Sequence, residues 1–221
     1  MALQNSDKQS LFYNLNLKKD SAQNSKISEK PYLKFTILND FKTNTYYGTF
    51  NGFNFKYTEP IPQHWKILNK TSDYESYKTQ EASLEFEGRK WIALFAPEIS
   101  VFTGPYKFSG LPGLILKVFS EDGDYSFEMV ELSKNKKHDD SKILNSQSAF
   151  IKKKDLEKMI SEFIKDPGSH NIVIMVSEND RFDYEFSGQK DEAYKDMNNY
   201  VNDLISKYDN PIDKKTYLLV Y

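Results

Sequence analysis

The side chains that most often carry catalysis are few and scattered in this chain. Its three histidines, His64, His138 and His170, are far apart in sequence, and His138 lies in a charged stretch typical of solvated loops. There is no cysteine, which excludes thiol nucleophiles, thiolate metal sites and disulfides. Motifs of the HExxH, GxSxG, GxxxxGK and GxGxxG types are also missing. The sequence therefore predicts no catalytic residue, metal site or cofactor, although a Ser-His-Asp triad or carboxylate pair assembled by the fold stays open.

Arg89, Trp91 and Glu98 are the first candidates for ligand binding. The Arg89 guanidinium can form a fixed ion pair with Glu98 or hold a ligand carboxylate through two hydrogen bonds. Trp91 can be a platform for stacking, but its place in a predicted hairpin favours the apolar face and the core. The ion pair and the core position are the commoner outcomes, and both alternatives remain open.

A Gly- and Pro-rich segment supplies the other candidates. Residues 104–116 read GPYKFSGLPGLIL, with three glycines and two prolines, and end in an apolar run typical of a strand. Gly tolerates positive φ and Pro fixes φ, so the segment predicts a shaped crossover that leads into a strand over 114–119. The alternative is a loop that forms the mouth of a ligand site with Tyr106, Phe108 and Leu111.

This segment resembles the signature of the bacterial GLPGLI family, whose name repeats it. Similar landmarks occur before and after it: Tyr77 to Ala82, Phe86 to Arg89, Trp91, Pro97 to Ile99, Tyr13 to Ser21, and Asn210 to Ile212. The resemblance covers nearly the whole chain. It implies an exported protein of a family without an assigned biochemical function.

Two departures limit what the resemblance implies. Thr79 stands where many relatives have cysteine, so chemistry of that thiol is not expected here. Met1 to Leu11 has neither a basic nor an apolar signal-peptide region, so we interpret the chain as a mature form that begins with an added Met. The expected location is extracytoplasmic, periplasmic or secreted, and this expectation rests on the resemblance alone.

Composition narrows the class of partner. The 221 residues include 30 basic and 32 acidic side chains, a formal charge of -2, which gives no field to attract a phosphate backbone. Nucleic acid is therefore not an expected partner. No apolar run approaches the roughly 20 residues of a membrane helix, so no transmembrane segment is predicted. Oligomeric state is left undetermined.

Three hairpins are predicted from residues that pair across turns. The first turns at Asn51-Gly52 and forms an aromatic face: Tyr46 opposite Tyr57, Gly48 opposite Phe55, Phe50 opposite Phe53. The second turns at Glu87-Gly88: Ala82 opposite Ala93, Leu84 opposite Trp91, Glu85 opposite Lys90. The third turns at Asp122-Gly123: Leu116 opposite Met129, Val118 opposite Phe127, Lys117 opposite Glu128. The aromatic face is either filled core or the lining of an apolar cavity.

The periodicity changes to a helical one after residue 150. Apolar residues at helical spacing predict one helix that ends at Asp166-Pro167-Gly168 and a second that ends near Asn210-Pro211: Leu156, Met159, Ile160, Phe163 and Ile164, then Tyr194, Met197, Val201, Leu204, Ile205 and Tyr208. Strands are predicted between them, at 172–176 and around Phe182, Tyr184 and Phe186. The expected fold is α+β, a mostly antiparallel, curved, half-barrel-like sheet with two C-terminal helices packed on it. Residues 1–31 are predicted as a polar N-terminal segment with a possible first strand at Leu11, Tyr13, Leu15 and Leu17, and residues 32–221 as a single domain.

Three functional hypotheses follow. The first is an exported binding or carrier protein that holds a hydrophobic small molecule, lipid or peptide on the curved sheet, with the Gly- and Pro-rich segment at the entrance. The second is an enzyme that acts on a peptide or similar substrate at a site assembled by the fold. The third is a protein-interaction module that uses an exposed sheet edge.

Overall fold

The computed structural model describes residues 1–6, 8–13, 35–50, 53–61, 64–133, 144, 147–169, 190–207 and 210. The strands are β1 (Ala2–Asn5), β2 (Ser10–Tyr13), β3 (Thr36–Asn39), β4 (Thr43–Phe50), β5 (Phe53–Pro60), β6 (Lys66–Tyr74), β7 (Tyr77–Phe86), β8 (Arg89–Ala96), β9 (Leu114–Ser120), β10 (Ser126–Glu128) and β11 (Ala149–Phe150). The helices are α1 (Lys153–Lys165) and α2 (Lys190–Lys207), and a short 3-10 turn spans Pro167–Ser169.

The strands form two sheets, neither of which closes into a barrel among the described residues. The first has the order β1-β2-β3-β4-β5-β11, antiparallel except that β11 runs parallel to β5. The second is the antiparallel sheet β10-β9-β8-β7-β6. The α+β class with mostly antiparallel strands and late helices is confirmed. The other edge of β5 pairs with β11 and not with β6, so the strands divide into two sheets where the sequence predicted one.

The predicted hairpin registers are confirmed wherever the structure describes them. Tyr46 lies opposite Tyr57, Leu84 opposite Trp91, and Val118 opposite Phe127. Glu87 and Gly88 both have positive φ, 49° and 80°, as a two-residue hairpin turn requires. The Asn51-Gly52 turn lies outside the described residues. Parts of other predictions also lie outside them: Leu15, Leu17, the strands at 172–176 and 182–186, and Tyr208.

One apolar cluster joins both sheets. The first sheet contributes Tyr46, Phe55 and Tyr57, and the second contributes Trp91 and Phe95, all of them buried. The rings of Tyr46 and Tyr57 stack with centroids 4.6 Å apart. The aromatic face of the first hairpin is therefore packed as core over most of its area, although Phe53 at its end is exposed.

Helix α1 completes this core. Leu156 and Ile160 on its apolar stripe are buried in the cluster, and Phe163 meets the Phe50 ring edge-on at 5.4 Å. Asp155 in its first turn and Lys165 in its last turn complement the helix dipole. Helix α2 lies against the 3-10 turn, where Asn198 Oδ1 accepts a hydrogen bond from the Gly168 N–H at 2.9 Å. No helix in the described part of the chain is long and apolar enough to cross a membrane.

Candidate functional site

The Gly- and Pro-rich segment forms a loop between β8 and β9 that closes on itself. Thr103 and Ser109 form an antiparallel bridge, and the Gly110 N–H donates to the Phe102 carbonyl at 3.0 Å. Between them the Phe108 N–H donates to the Pro105 carbonyl at 3.2 Å. We call residues 102–113 the motif loop.

The motif loop turns three of its apolar side chains into the core, whereas Phe102 at its start is exposed. Tyr106, Phe108 and Leu111 are all buried. The Phe108 ring lies 4.7 Å from that of Trp91, and the Tyr106 ring stacks on Phe127 at 5.9 Å. These side chains therefore belong to the cluster that joins the two sheets, which is the structural alternative drawn from the sequence.

A buried set of hydrogen bonds, which we call the polar seam, ties the motif loop to the first sheet. Asn39 Nδ2 donates to Asn44 Oδ1 at 2.9 Å and to Ser109 Oγ at 3.0 Å. Asn44 Nδ2 donates to the Lys107 carbonyl at 3.1 Å. Asn39 Oδ1 accepts from the Phe41 N–H, so the amide groups of both asparagines have partners. Buried polar groups with all their hydrogen bonds made rigidify and specify a packing arrangement.

Two further hydrogen bonds extend the attachment of the loop. The Thr103 hydroxyl donates to Asn5 Oδ1 on β1 at 2.7 Å, and the Trp65 indole N–H donates to the Ser109 carbonyl at 2.9 Å. Trp65 directly precedes β6 of the second sheet. The motif loop is thus bonded to both sides of the core.

Lys107 is a buried cation within this loop. Only 1% of its surface is exposed, and its Nζ lies 4.5 Å from the centre of the Phe86 ring and 5.1 Å from that of Tyr106. Aromatic faces attract cations through their quadrupole. The sequence offered no signal for this position, because a lysine between turn residues is usually solvated.

Arg89 is fixed by acidic residues of the neighbouring hairpin. Its buried guanidinium contacts Asp122 at 2.5 Å and Asp124 at 2.7 Å, donates to Asn210 after α2, and lies over the Tyr125 ring. These bonds clamp the tips of two hairpins and the end of a helix together. The hydrogen bonds from Asn210 and Arg89 hold the pKa of Asp124 below its ordinary value.

The six predicted ligand residues fall into two groups by their burial. Arg89, Trp91, Tyr106, Phe108 and Leu111 are buried together around the core, whereas Glu98 lies exposed in the turn after β8. Trp91 is fully buried, and its indole N–H has no hydrogen-bond partner among the residues that the structure describes. Of the two carboxylates that engage Arg89, the sequence identified Asp122 only as a turn residue and gave no signal for Asp124. Spacing alone does not tell which way a turn carboxylate points.

The outer edge of the second sheet is an exposed strand and not a packed interior. Among the described residues β6 is its last strand, with nine residues of which six are exposed. It is much longer than the other edge strands β1, β10 and β11, which have four, three and two residues. An edge strand carries a row of backbone N–H and C=O groups that can pair with another chain.

Side-chain clusters suited to metal binding do not occur in the described parts of the chain. His64 is exposed, and His138 and His170 lie outside those parts.

Comparison with known proteins identifies the fold alone. No protein-family model matches the chain, and no curated protein matches it. The chain is similar to the structure of PNGF-II in two crystal forms, C2 and P21, each with a TM-score of 0.55 and 18% sequence identity over 71% of this chain. It spans only 28% and 29% of the length of those two chains. A similar fold thus occurs as one part of a longer chain.

Close backbone contact at Gly113 yields a first prediction. A methyl group at this position would overlap the carbonyl of Ala96, at the point where the loop enters β9. We expect Gly113→Ala to lower the free energy of unfolding by about 3 kcal/mol, measured by urea denaturation. Gly110→Ala is the matched control, because its methyl group would meet open space; its positive φ predicts a loss of about 1 kcal/mol. Equal losses would show that the backbone approach does not matter.

The pKa of Asp124 yields a second prediction. Because the folded-state pKa lies below the ordinary 3.8, the ionised carboxylate stabilises the fold above that value, and this stabilisation is lost as pH falls through the folded-state pKa. We expect Asp124→Asn to flatten the fall of melting temperature below about pH 4. The control is Asp203→Asn on the exposed side of α2, which should keep the wild-type slope. An unchanged slope in Asp124→Asn would contradict the clamp.

Proposed function

We propose that this protein is a binding module that accepts an extended segment of another polypeptide along β6. The observation that carries the proposal is that β6 is an exposed edge strand among the described residues, and that its residues 71–74 pair regularly with β7. An extended peptide can continue such a sheet through main-chain hydrogen bonds, and side-chain contacts on alternate residues then provide specificity. This mode of binding requires no catalytic residue.

The packing of the predicted ligand residues supports binding along β6 rather than binding in a cavity between the sheets. Tyr106, Phe108 and Leu111 contact other core residues, and the rings of Tyr46, Phe55 and Tyr57 contact one another. A carrier of a hydrophobic molecule would need these side chains to line a space. The motif loop is better suited to hold the two sheets in place, so that the margin of the second sheet is rigid.

Membership of the GLPGLI family and an extracytoplasmic location are part of the same proposal. They are supported by the GPYKFSGLPGLIL segment and the landmarks around it. The fold similarity to a portion of PNGF-II supports a unit that can operate within a larger assembly of domains, as binding modules do.

Two neighbouring proline variants test the proposal. Along an edge strand, N–H groups point alternately toward the sheet and away from it. Proline is tolerated only where the N–H points away. Of Thr71→Pro and Ser72→Pro, we therefore expect one to keep the wild-type melting temperature and the other to lower it markedly. Linear peptides selected from a displayed random library against the full chain should bind wild type and lose binding to the stable proline variant.

The controls are Thr71→Val and Ser72→Thr, which keep the backbone N–H and, at residue 72, the hydroxyl next to Thr79, and should retain both stability and binding. Undiminished binding of every selected peptide to the stable proline variant would refute the proposed use of β6.

A further inference from the structure

The two halves of β6 differ in their pairing with β7. Lys66 and Ile67 lie opposite Ser83 and Ala82, but the next pair is Thr71 with Gln80, so residues 68–70 stand against Glu81 alone. This bulge is held by a hydrogen bond from Gln80 Nε2 to the Leu68 carbonyl, 3.0 Å, and by Lys70 with Glu81, 2.6 Å. Bulges and lysines are devices by which proteins prevent pairing at a sheet edge.

The second half of β6 is regular and supported from the sheet side. Residues 71–74 pair one to one with residues 77–80 of β7. The hydroxyls of Ser72 and Thr79 lie 3.0 Å apart, and the Tyr74 hydroxyl donates to the Met129 carbonyl at 3.2 Å. A backbone that is already held in the bound shape loses little entropy when a ligand pairs with it.

The negative charge at the end of the second half of β6 favours a basic side chain in the ligand. Asp73 has a carboxylate that is 64% exposed, and Glu75 lies exposed in the turn that follows. Across the existing ladder Asp73 is paired with Lys78 at 2.7 Å, so a basic residue is the partner that this chain itself uses there. A strand added on the other side of β6 would place one of its residues opposite Asp73 on the same face.

A second copy of this chain fits the same edge poorly. Antiparallel self-pairing of residues 71–74 would bring the bulge at 68–70 of one copy against the Glu75-Ser76 turn of the other. Neither the bulge nor the turn continues a flat ladder. A short extended segment avoids both obstacles because it ends where the ladder ends.

We propose that residues 71–74 are the docking edge for a short extended peptide with a lysine or arginine opposite Asp73. This inference rests on the proposed function and specifies its ligand class. The four regular pairs of this half set the length of the ladder, and the bulge excludes a longer one.

The test uses a probe copied from β7, the strand that pairs with residues 71–74 on their sheet side. The peptide YKTQEA, the sequence of residues 77–82 with blocked ends, is titrated at millimolar concentration into the ¹⁵N-labelled full chain. We expect the backbone amides of residues 71–74 to shift. The peptide YETQEA, with glutamate in place of lysine, should bind about two- to fivefold more weakly, as for opposite-charge cross-strand pairs.

Charge reversal in the protein provides the matched pair of variants. Asp73→Lys should weaken binding of YKTQEA and strengthen binding of YETQEA, whereas Asp203→Lys on exposed α2 should change neither. N-methylation at successive positions of YKTQEA should abolish binding at alternate residues only, because only every second N–H faces the edge.

The outcomes separate this inference from the function on which it rests. Shifts confined to residues 66–70, or library-selected peptides that bind β6 while YKTQEA leaves residues 71–74 unshifted, would overturn the present inference alone. If the amides of residues 71–74 that point away from β7 are already protected from hydrogen exchange without any peptide, this chain covers its own edge, and both proposals would be overturned.

Discussion

The polar seam between Asn39, Asn44 and the motif loop is the constraint on which the rest of the fold depends. Two sheets that meet through apolar side chains can slide past one another, because apolar contacts have no direction. Hydrogen bonds from the asparagine amides to Ser109 Oγ and the Lys107 carbonyl do have direction, and they are buried. An amide left without a partner there would cost about 1–3 kcal/mol, so the bonds specify one arrangement.

This arrangement gives the residues of the signature a structural meaning. Phe108 and Tyr106 occupy the space between Trp91 and Phe127, and the glycines allow the loop backbone to approach β8 and β9 closely. The Arg89 clamp performs a related task at the hairpin tips. Among the described residues, β6 is the longest strand at the edge of either sheet.

The sequence predicted local pairing well and assembly poorly. Alternating residues set the registers of β4 with β5 and β7 with β8, because a shift by one residue would bury charges such as Glu85 and Lys90. Helical spacing located α1 and α2. The division into two sheets, the ion pairs of Arg89 with Asp122 and Asp124, and the burial of Lys107 depend on contacts between residues distant in sequence. Nothing in residue spacing encodes those contacts.

Hydrogen exchange in an Asn44→Ala variant tests the central role of the polar seam most directly. The substitution removes the bond to the Lys107 carbonyl and leaves Asn39 Nδ2 without one of its acceptors. If the seam couples the sheets, protection should fall by a similar factor in the first sheet, at β3 and β4, and in the second, at β8 and β9. Loss of protection limited to β3 and β4, with β8 and β9 unchanged, would contradict the account.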